Sequence, residues 1–346
     1  MGDTGWLWVL FTVVAAAAQT VRNATQRELT AKLGTVGATH VRFLFGFPFA
    51  LLFLAGVMLA LGQALPSPPA IYWPWVIVGA LTQIAATALM LAAMNDRSFV
   101  VVYAYIKTEP VQAALFGLLF LGDVVTAGTA AAIVIATLGV VIMALKPGTG
   151  SDLKATLLGL AAGAILALSV VGFRGAILIA TCGVVVMSLK SGAKSGIFGG
   201  DIVPTVLGLS AGACFALSAI GYRGAILSLH DPNFVMAATF TVTIGLAVQT
   251  ALLTGWLLLR DRAVLTAIFH AWRPSLFAGF MGALASQFWF LGFATATAAS
   301  VRTLALVEVL FAQAISHFVF KQPVSTREGA GIALIVVGVA LLVGTY

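Results

Sequence analysis

The sequence predicts an all-α integral membrane protein built from two inverted five-helix repeats, ten core transmembrane helices in all, with an extra tandem-duplicated hydrophobic segment. Composition is the first observation: of 346 residues, 61% are hydrophobic and 8% are charged, and the mean hydropathy is +1.09. An ordinary soluble domain has about 45–50% apolar and about 25% charged residues. Recurring apolar runs of membrane-spanning length and the similarity between the two halves of the chain complete the prediction.

Ten apolar runs, separated by turn residues and charges, define the predicted spans in order. They cover residues 5–27, 35–62, 70–93, 98–121 and 126–145, then 203–227, 234–259, 274–298, 300–319 and 328–345. Most prolines fall at or near the ends of these runs. Pro48 and Pro110 lie well inside a run, and we expect each to kink its helix because proline cannot donate the backbone hydrogen bond.

The two sets of five spans align with each other. An offset of 199 residues superposes Glu109 on Glu308 and Gly139 on Gly338 without a gap. Because each copy has an odd number of spans, the two copies must lie in opposite orientations across the bilayer. Secondary transporters are often built in this way, with the substrate site near the midplane between the halves.

A second, closer repeat lies between the two halves. Residues 157–178 recur at 206–227, and residues 133–148 recur at 177–192, which indicates a tandem duplication of the end of the fifth span and the start of the sixth. The predicted organisation is therefore a first repeat, a duplicated segment and a second repeat, which occupy residues 1–147, 148–200 and 201–346.

The duplicated segment contains a nearly unbroken apolar stretch of 34 residues, 157–190. As one helix it would be about 51 Å long, against a hydrocarbon core of ~30 Å. An odd number of added crossings would reverse the second half. The sequence therefore favours either two short crossings that turn near Arg174 and Gly175 or a hairpin beside the bundle.

Basic residues in the loops predict the orientation. One side of the bilayer collects the loop cations Arg27, Lys32, Arg97, Lys146, Lys154, Arg260, Arg262, Arg273, Lys321 and Arg327. The loops on the other side carry no Lys or Arg. By the positive-inside rule the basic side is cytoplasmic, so both termini are expected on the non-cytoplasmic face of the cell (inner or plasma) membrane.

Three stretches resemble the drug/metabolite transporter superfamily, specifically its ten-helix EamA-type members. They are Val41-Arg42 at the start of the second span, the segment Thr108–Asp123, and its repeat from Val307 through Ile332. The acid that this family usually has after a Leu-Gly turn is Asp123 in the first half, but Gln322 stands in its place in the second. The resemblance implies a secondary carrier, since most relatives export amino acids, other metabolites or drugs.

Two acids, Glu109 and Glu308, lie near the middle of the fourth and ninth spans. A carboxylate there costs about 2.5–3.5 kcal/mol on insertion scales. Each acid is either the partner of a cation in a structural ion pair or a proton-binding group that couples transport to a pH gradient. Both interpretations remain open at this stage.

Four basic side chains inside the spans also have two interpretations. Lys107 and Arg302 either extend to the lipid headgroups or face a central cavity, where they would bind a substrate carboxylate. Arg22 and Arg223 are copies of one position late in the first span of each half, and a third copy is Arg174. They are expected to anchor helix ends, with substrate contact as the alternative for Arg22 and Arg223, and Arg42 is a similar anchor candidate.

Polar groups among aromatic residues give the remaining substrate-binding candidates. An amide in hydrocarbon needs hydrogen-bond partners, and small-molecule pockets commonly combine such groups with aromatic walls. The candidates are Gln83, Tyr103, Tyr105, Gln287 and Trp289, together with Lys107 and Arg302.

The sequence carries no pattern that indicates catalysis. Its four histidines are scattered, and no metal-binding, nucleophile-elbow or phosphate-loop motif occurs, so we expect neither an enzyme nor a cofactor or metal. Expected partners are a small-molecule substrate and the lipid bilayer, without nucleic acid or a nucleotide-binding subunit. The oligomeric state is open, and a monomer is compatible with the sequence.

The predicted function is a secondary transporter for an amino acid or a similar zwitterionic or amphipathic solute. Two alternatives remain: an exchanger of anionic, phosphorylated metabolites with the same fold, and a membrane scaffold that transports nothing.

Overall fold

A computed structural model describes residues 6–96, 106–144, 202–318 and 326–345 of the chain. All regular structure in these ranges is helical. The helices are α1 Leu7–Leu44, α2 Gly46–Leu61, α3 Tyr72–Asp96, α4 Glu109–Phe116, α5 Ala127–Ala144, α6 Ile202–Ser228, α7 Phe234–Arg260, α8 Arg262–His270, α9 Trp272–Thr295, α10 Ala298–Leu304, α11 Val307–Phe318 and α12 Thr326–Gly344. The predicted duplicated segment, 148–200, lies outside the described residues.

Six helical segments within the described ranges are long and apolar enough to cross a bilayer. They are Leu7–Gln26, Glu28–Leu61, Tyr72–Ala93, Val206–Ser228, Phe234–Arg260 and Trp272–Thr295. Shorter apolar helices cover Glu109–Leu121, Ala127–Val140 and Glu328–Gly344. The chain is therefore a multi-pass α-helical membrane protein.

The first two predicted spans are joined by a single glycine, not by the expected turn over residues 28–34. Within α1 the backbone departs from helical geometry at Gly34, with φ 67° and ψ 174°. Glycine adopts this φ without the steric cost of a Cβ. Gln26 Nε2 donates to the carbonyl of Ala38 at 2.8 Å, which connects the two sides of the bend.

The helix of the second span is interrupted at Phe45, close to Pro48. Phe45 separates α1 from α2, so Pro48 lies in the first turn of α2, where its missing N–H has no helical acceptor to lose. Pro110 behaves differently from the prediction. It stands beside Glu109 at the start of α4 and opens a new helix, because the chain forms a turn at residues 107–108.

The ninth span is broken at nearly the same place as the fourth. Helix α10 ends at Leu304 and α11 begins at Val307, and the 199-residue offset places this break next to the turn before Glu109. Both acids consequently lie in the first turn of a helical piece, Glu109 in α4 and Glu308 in α11. The positive end of the helix dipole favours a carboxylate at that position.

Helices from the two halves pack against each other in a regular pattern. Helix α1 packs along α9, α3 along α6, α2 along α7, and α5 along α12. Glycines permit the closest approaches: a Cβ added to Gly221 of α6 would lie 2.6 Å from the backbone nitrogen of Gly79 in α3. The interface between the halves is thus an extensive, closely packed region that contains the buried polar residues described next.

Candidate functional site

Six charged side chains are buried within the described part of the chain, with exposed fractions of 5% or less. They are the cations Arg22, Arg42, Lys107 and Arg302 and the acids Glu109 and Glu308. They come from α1, α10, the turn before α4, and the first turns of α4 and α11. Burial of this many charges is costly unless partners compensate them, so their contacts define the site.

Lys107 and Glu308 form the first buried ion pair. The Lys107 Nζ lies 2.8 Å from Glu308 Oε2. Gln19 Nε2 donates to the other carboxylate oxygen, Oε1, at 2.7 Å. Trp289 Nε1 in turn donates to Gln19 Oε1 at 3.0 Å. The Glu308 carboxylate is therefore held at both oxygens by a network that reaches from α1 to α9.

Arg302 and Glu109 form the second buried ion pair. The Arg302 Nε lies 2.9 Å from Glu109 Oε1, but the two atoms are not aligned as a hydrogen bond. The guanidinium also stacks over two rings of α9, 4.6 Å from the centroid of Trp289 and 5.2 Å from that of Phe293. Electrostatic attraction and cation–π contact, more than a directed hydrogen bond, hold this pair.

The two pairs are crossed between the halves of the chain. Lys107 of the first half binds Glu308 of the second, and Arg302 of the second half binds Glu109 of the first. The geometry agrees with the ion-pair interpretation of the acids. Lys107 and Arg302 are 3% and 5% exposed, so neither extends to the headgroups.

The amide candidates lie in the protein interior. Gln83 Oε1 accepts from Tyr222 Oη at 3.3 Å and from Gln249 Nε2 at 2.7 Å. Gln287 Nε2 donates to Thr239 Oγ1 at 2.7 Å, while its Oε1 has no hydrogen-bond partner within the described residues. Sequence reasoning missed the Tyr222 and Gln249 partners. The candidates Tyr103 and Tyr105 lie outside the described residues.

Arg22 and Arg42 are buried side by side and do not reach the headgroups as helix-end anchors would. Their exposed fractions are 1% and 2%. Arg22 Nη2 donates to Asn23 Oδ1 at 2.7 Å, and Arg42 Nη1 donates to Thr87 Oγ1 at 3.1 Å. A Cβ added to Gly282 would lie 3.4 Å from Arg22 Cδ and 3.5 Å from Arg42 Cβ, so both side chains pass over this glycine of α9.

Arg223 makes a further contact between the halves. Its Nε and Nη2 donate to Asp123 Oδ2 and Oδ1 at 3.3 and 3.4 Å. Its Nη1 donates to the carbonyls of Phe293 and Ala296, each at 2.6 Å. Arg223 therefore connects the end of the fourth span with α6 and the end of α9. The sequence carries one signal for this contact: the repeat has an acid, Asp123, after the Leu-Gly turn of the first half and Gln322 at the equivalent position of the second.

Two features lie outside this buried network. An open surface depression is lined by Lys32, His270, Trp272 and Arg273, none of which contributes to the ion pairs. Within the described ranges no three His, Cys, Asp or Glu side chains are grouped so that they could hold a metal ion.

Comparison with known proteins gives a family match for the N-terminal part of the chain. Residues 4–145 match the model of the EamA-like transporter family, which confirms the resemblance for this part of the chain. A solved structure described as "Crystal structure of protein" is 13% identical, with a TM-score of 0.63, and the alignment covers 98% of this chain and 95% of that one. At this identity the likeness shows the fold. No curated protein matches the chain.

Proposed function

We propose that this membrane protein, with its EamA-like transporter repeat, is a secondary carrier of a small metabolite that works by alternating access. An amino acid or a similar zwitterionic or amphipathic solute is the proposed substrate. The proposed architecture is a pair of inverted five-helix halves with the substrate near their midplane junction. Both termini are proposed to lie on the non-cytoplasmic side of the membrane.

The contacts between the halves support this architecture. The first helix of each half packs along the third helix of the other, α1 with α9 and α6 with α3, while the second and fifth helices pack with their own counterparts. This exchange of equivalent partners is what a two-fold relation between the halves requires. The breaks in the fourth and ninth spans also match, and discontinuous helices commonly form binding sites in carriers of this kind.

The crossed ion pairs are the observation that carries the proposal. Each pair joins one half to the other at a break in a span, so relative motion of the halves changes both pairs. A substrate carboxylate or amino group that competes for Lys107 or Glu308 would link binding to this motion. Gln83, Gln287 and Trp289, with Tyr103 and Tyr105, are proposed to line the site together with Lys107 and Arg302.

Glu109 is the proposed proton carrier if transport is coupled to protons. Its Oε1 makes an unaligned contact with Arg302, whereas Glu308 is bound at both oxygens by described residues. Protonation of Glu109 would remove the attraction to Arg302 and release one of the two crossed ion pairs. Glu308 is then chiefly the fixed partner of Lys107 and only the second candidate.

The test is solute counterflow in proteoliposomes, with and without a pH gradient. Glu109→Gln keeps the shape and removes the titrating group, so we expect it to abolish pH-driven flux while solute exchange remains measurable. Glu308→Gln should reduce pH-driven flux less. Glu28→Gln is the matched control, because Glu28 is exposed on α1 and makes no contact with the ion pairs.

Wild-type flux that ignores the pH gradient, or full pH-driven activity in both Gln variants, would refute proton coupling and leave the acids as structural partners. Absence of counterflow for every solute tested would contradict transport and favour the scaffold.

The alternative function, an exchanger of anionic metabolites, is favoured by the excess of buried cations over buried acids among the described residues. A solute panel with amino acids and phosphate esters separates it from the proposed carrier.

A further inference from the structure

We propose that Arg42, together with Arg22, forms an oxyanion site over Gly282 that binds a carboxylate or phosphate group of the transported solute. This inference rests on the proposed function only in taking the bound solute to be the one that is transported. The binding site itself is a separate claim about the chain. It places the anionic group of the solute at two arginines outside the crossed ion pairs, so that the amino group of a zwitterionic solute is the one that competes for Glu308.

The burial of Arg42 away from every described acid motivates the site. Within the described residues four cations and two acids are buried. Both acids lie within 3 Å of a cation, Lys107 or Arg302. No described carboxylate lies within ion-pair distance of Arg42. An arginine stays charged in proteins, so its burial without an anion costs several kcal/mol.

The contacts of Arg42 are with neutral groups. Its Nη1 donates to the Thr87 hydroxyl at 3.1 Å, and its guanidinium carbon lies 4.8 Å from the centroid of the Phe43 ring. These contacts orient the guanidinium and leave its negative partner unassigned within the described residues. The Thr87 hydroxyl fixes one guanidinium nitrogen, and the Phe43 ring lies against the guanidinium group. A guanidinium oriented in this way can bind an oxyanion through two parallel N–H donors.

Arg22 and Gly282 complete the geometry. Arg22 is an electrostatic neighbour of Arg42, so an anion bound at Arg42 would also be attracted to Arg22. Gly282 has no side chain at the point where both arginines cross α9, where a Cβ would contact Arg22 Cδ and Arg42 Cβ. A larger side chain at this position would occupy space beside the aliphatic parts of both arginine side chains.

The test measures binding without transport. The purified full chain is heated in detergent while tryptophan fluorescence is followed, with inorganic phosphate, glycerol 3-phosphate, L-leucine or L-leucinamide added over a concentration series. Sodium chloride at matched ionic strength is the salt control. We expect the oxyanion-bearing probes to raise the unfolding temperature and L-leucinamide not to raise it. The phosphate and carboxylate arms show which oxyanion the site accepts.

Variants assign the effect to the site. Arg42→Gln should weaken the apparent affinity for the active probe about tenfold or more, since it removes a charge-assisted contact. Arg42→Lys should restore part of it, and Gly282→Leu should weaken binding without any change of charge. Arg273→Gln, at an exposed arginine, should match the wild type.

Stabilisation that persists undiminished in Arg42→Gln would be a general solvent effect and would overturn the site. Equal stabilisation by L-leucine and L-leucinamide would overturn it as well. The outcome is independent of the transport proposal: Arg42-dependent stabilisation without counterflow supports the site and contradicts transport. Counterflow of a solute without an oxyanion, unchanged in Arg42→Gln, supports transport and contradicts the site.

Discussion

Lys107 and Glu308 show how a charge is accommodated inside this protein. Each would be costly in hydrocarbon, and the direct contact of 2.8 Å together with the Gln19 hydrogen bond offsets that cost. Residue by residue, the sequence revealed which side chains are unusual but not how they pair. Partners 201 positions apart in one chain leave no local pattern, so the crossed arrangement needed the folded structure.

Removal of one member of this pair should be much more harmful than removal of both. Lys107→Met leaves the Glu308 carboxylate without its cation, and we expect a loss of about 3–5 kcal/mol in the free energy of unfolding. In the double variant Lys107→Met/Glu308→Gln, the amide oxygen at position 308 can still accept from Gln19. Most of the loss should then be recovered, as measured by denaturant unfolding in detergent micelles.

Glu308→Gln completes the thermodynamic cycle for this pair. If the losses of the two single variants simply add in the double variant, Lys107 and Glu308 are not coupled and the ion pair contributes nothing to stability.

Most helices could be predicted from the lengths of the apolar runs. The predicted spans 70–93 and 234–259 correspond to α3 Tyr72–Asp96 and α7 Phe234–Arg260. A transmembrane run is a strong signal because the bilayer sets its length. Shorter elements were not predicted. The nine-residue α8 lies in the connection between two predicted spans, and no proline marks the break before Val307.

Helices α5 and α12 depend on two glycines related by the 199-residue offset. A Cβ at Gly139 would lie 2.5 Å from the Gly331 carbonyl oxygen, and one at Gly338 would lie 2.6 Å from the Ala136 nitrogen. Backbone atoms cannot move aside as a flexible side chain can. Gly139→Val and Gly338→Val should each lower the free energy of unfolding by about 1–3 kcal/mol through overpacking.

Gly56→Val is the control for this pair of substitutions. Gly56 lies on an exposed face of α2 with no heavy atom within 4 Å of an added Cβ. Thermal unfolding in detergent should rank it with the wild type. If Gly139→Val is as stable as Gly56→Val, the α5–α12 contact has room for a larger side chain and does not depend on this glycine.

Ion pairs at several places connect the two halves of the described chain. The crossed ion pairs hold the broken fourth and ninth spans together, and Arg223 connects Asp123 at the end of the fourth span with the end of α9. These connections all join residues 6–144 to residues 202–318. The sequence predicted the repeats from their similarity, whereas side-chain contacts between them depend on packing that one sequence does not encode locally.

Deletion of one copy of the duplicated segment tests the architecture as a whole. Removal of residues 133–176 joins residue 132 to 177, so that 177–192 replace their repeat 133–148. Two short crossings or a hairpin beside the bundle add no net reversal of the chain. We therefore expect the C-terminus of the deletion variant to stay on the same side as in the full chain, with solute counterflow largely retained.

A reporter fused to the C-terminus, active on one side of the membrane only, measures this directly. Both forms should give the same reporter signal, because the loop cations of the second half are unchanged and continue to specify its orientation. A reversed signal after the deletion would mean that the removed segment contributes an odd number of crossings. The two halves would then have a parallel relation in the full chain, and the inverted repeat proposed for this protein would have to be abandoned.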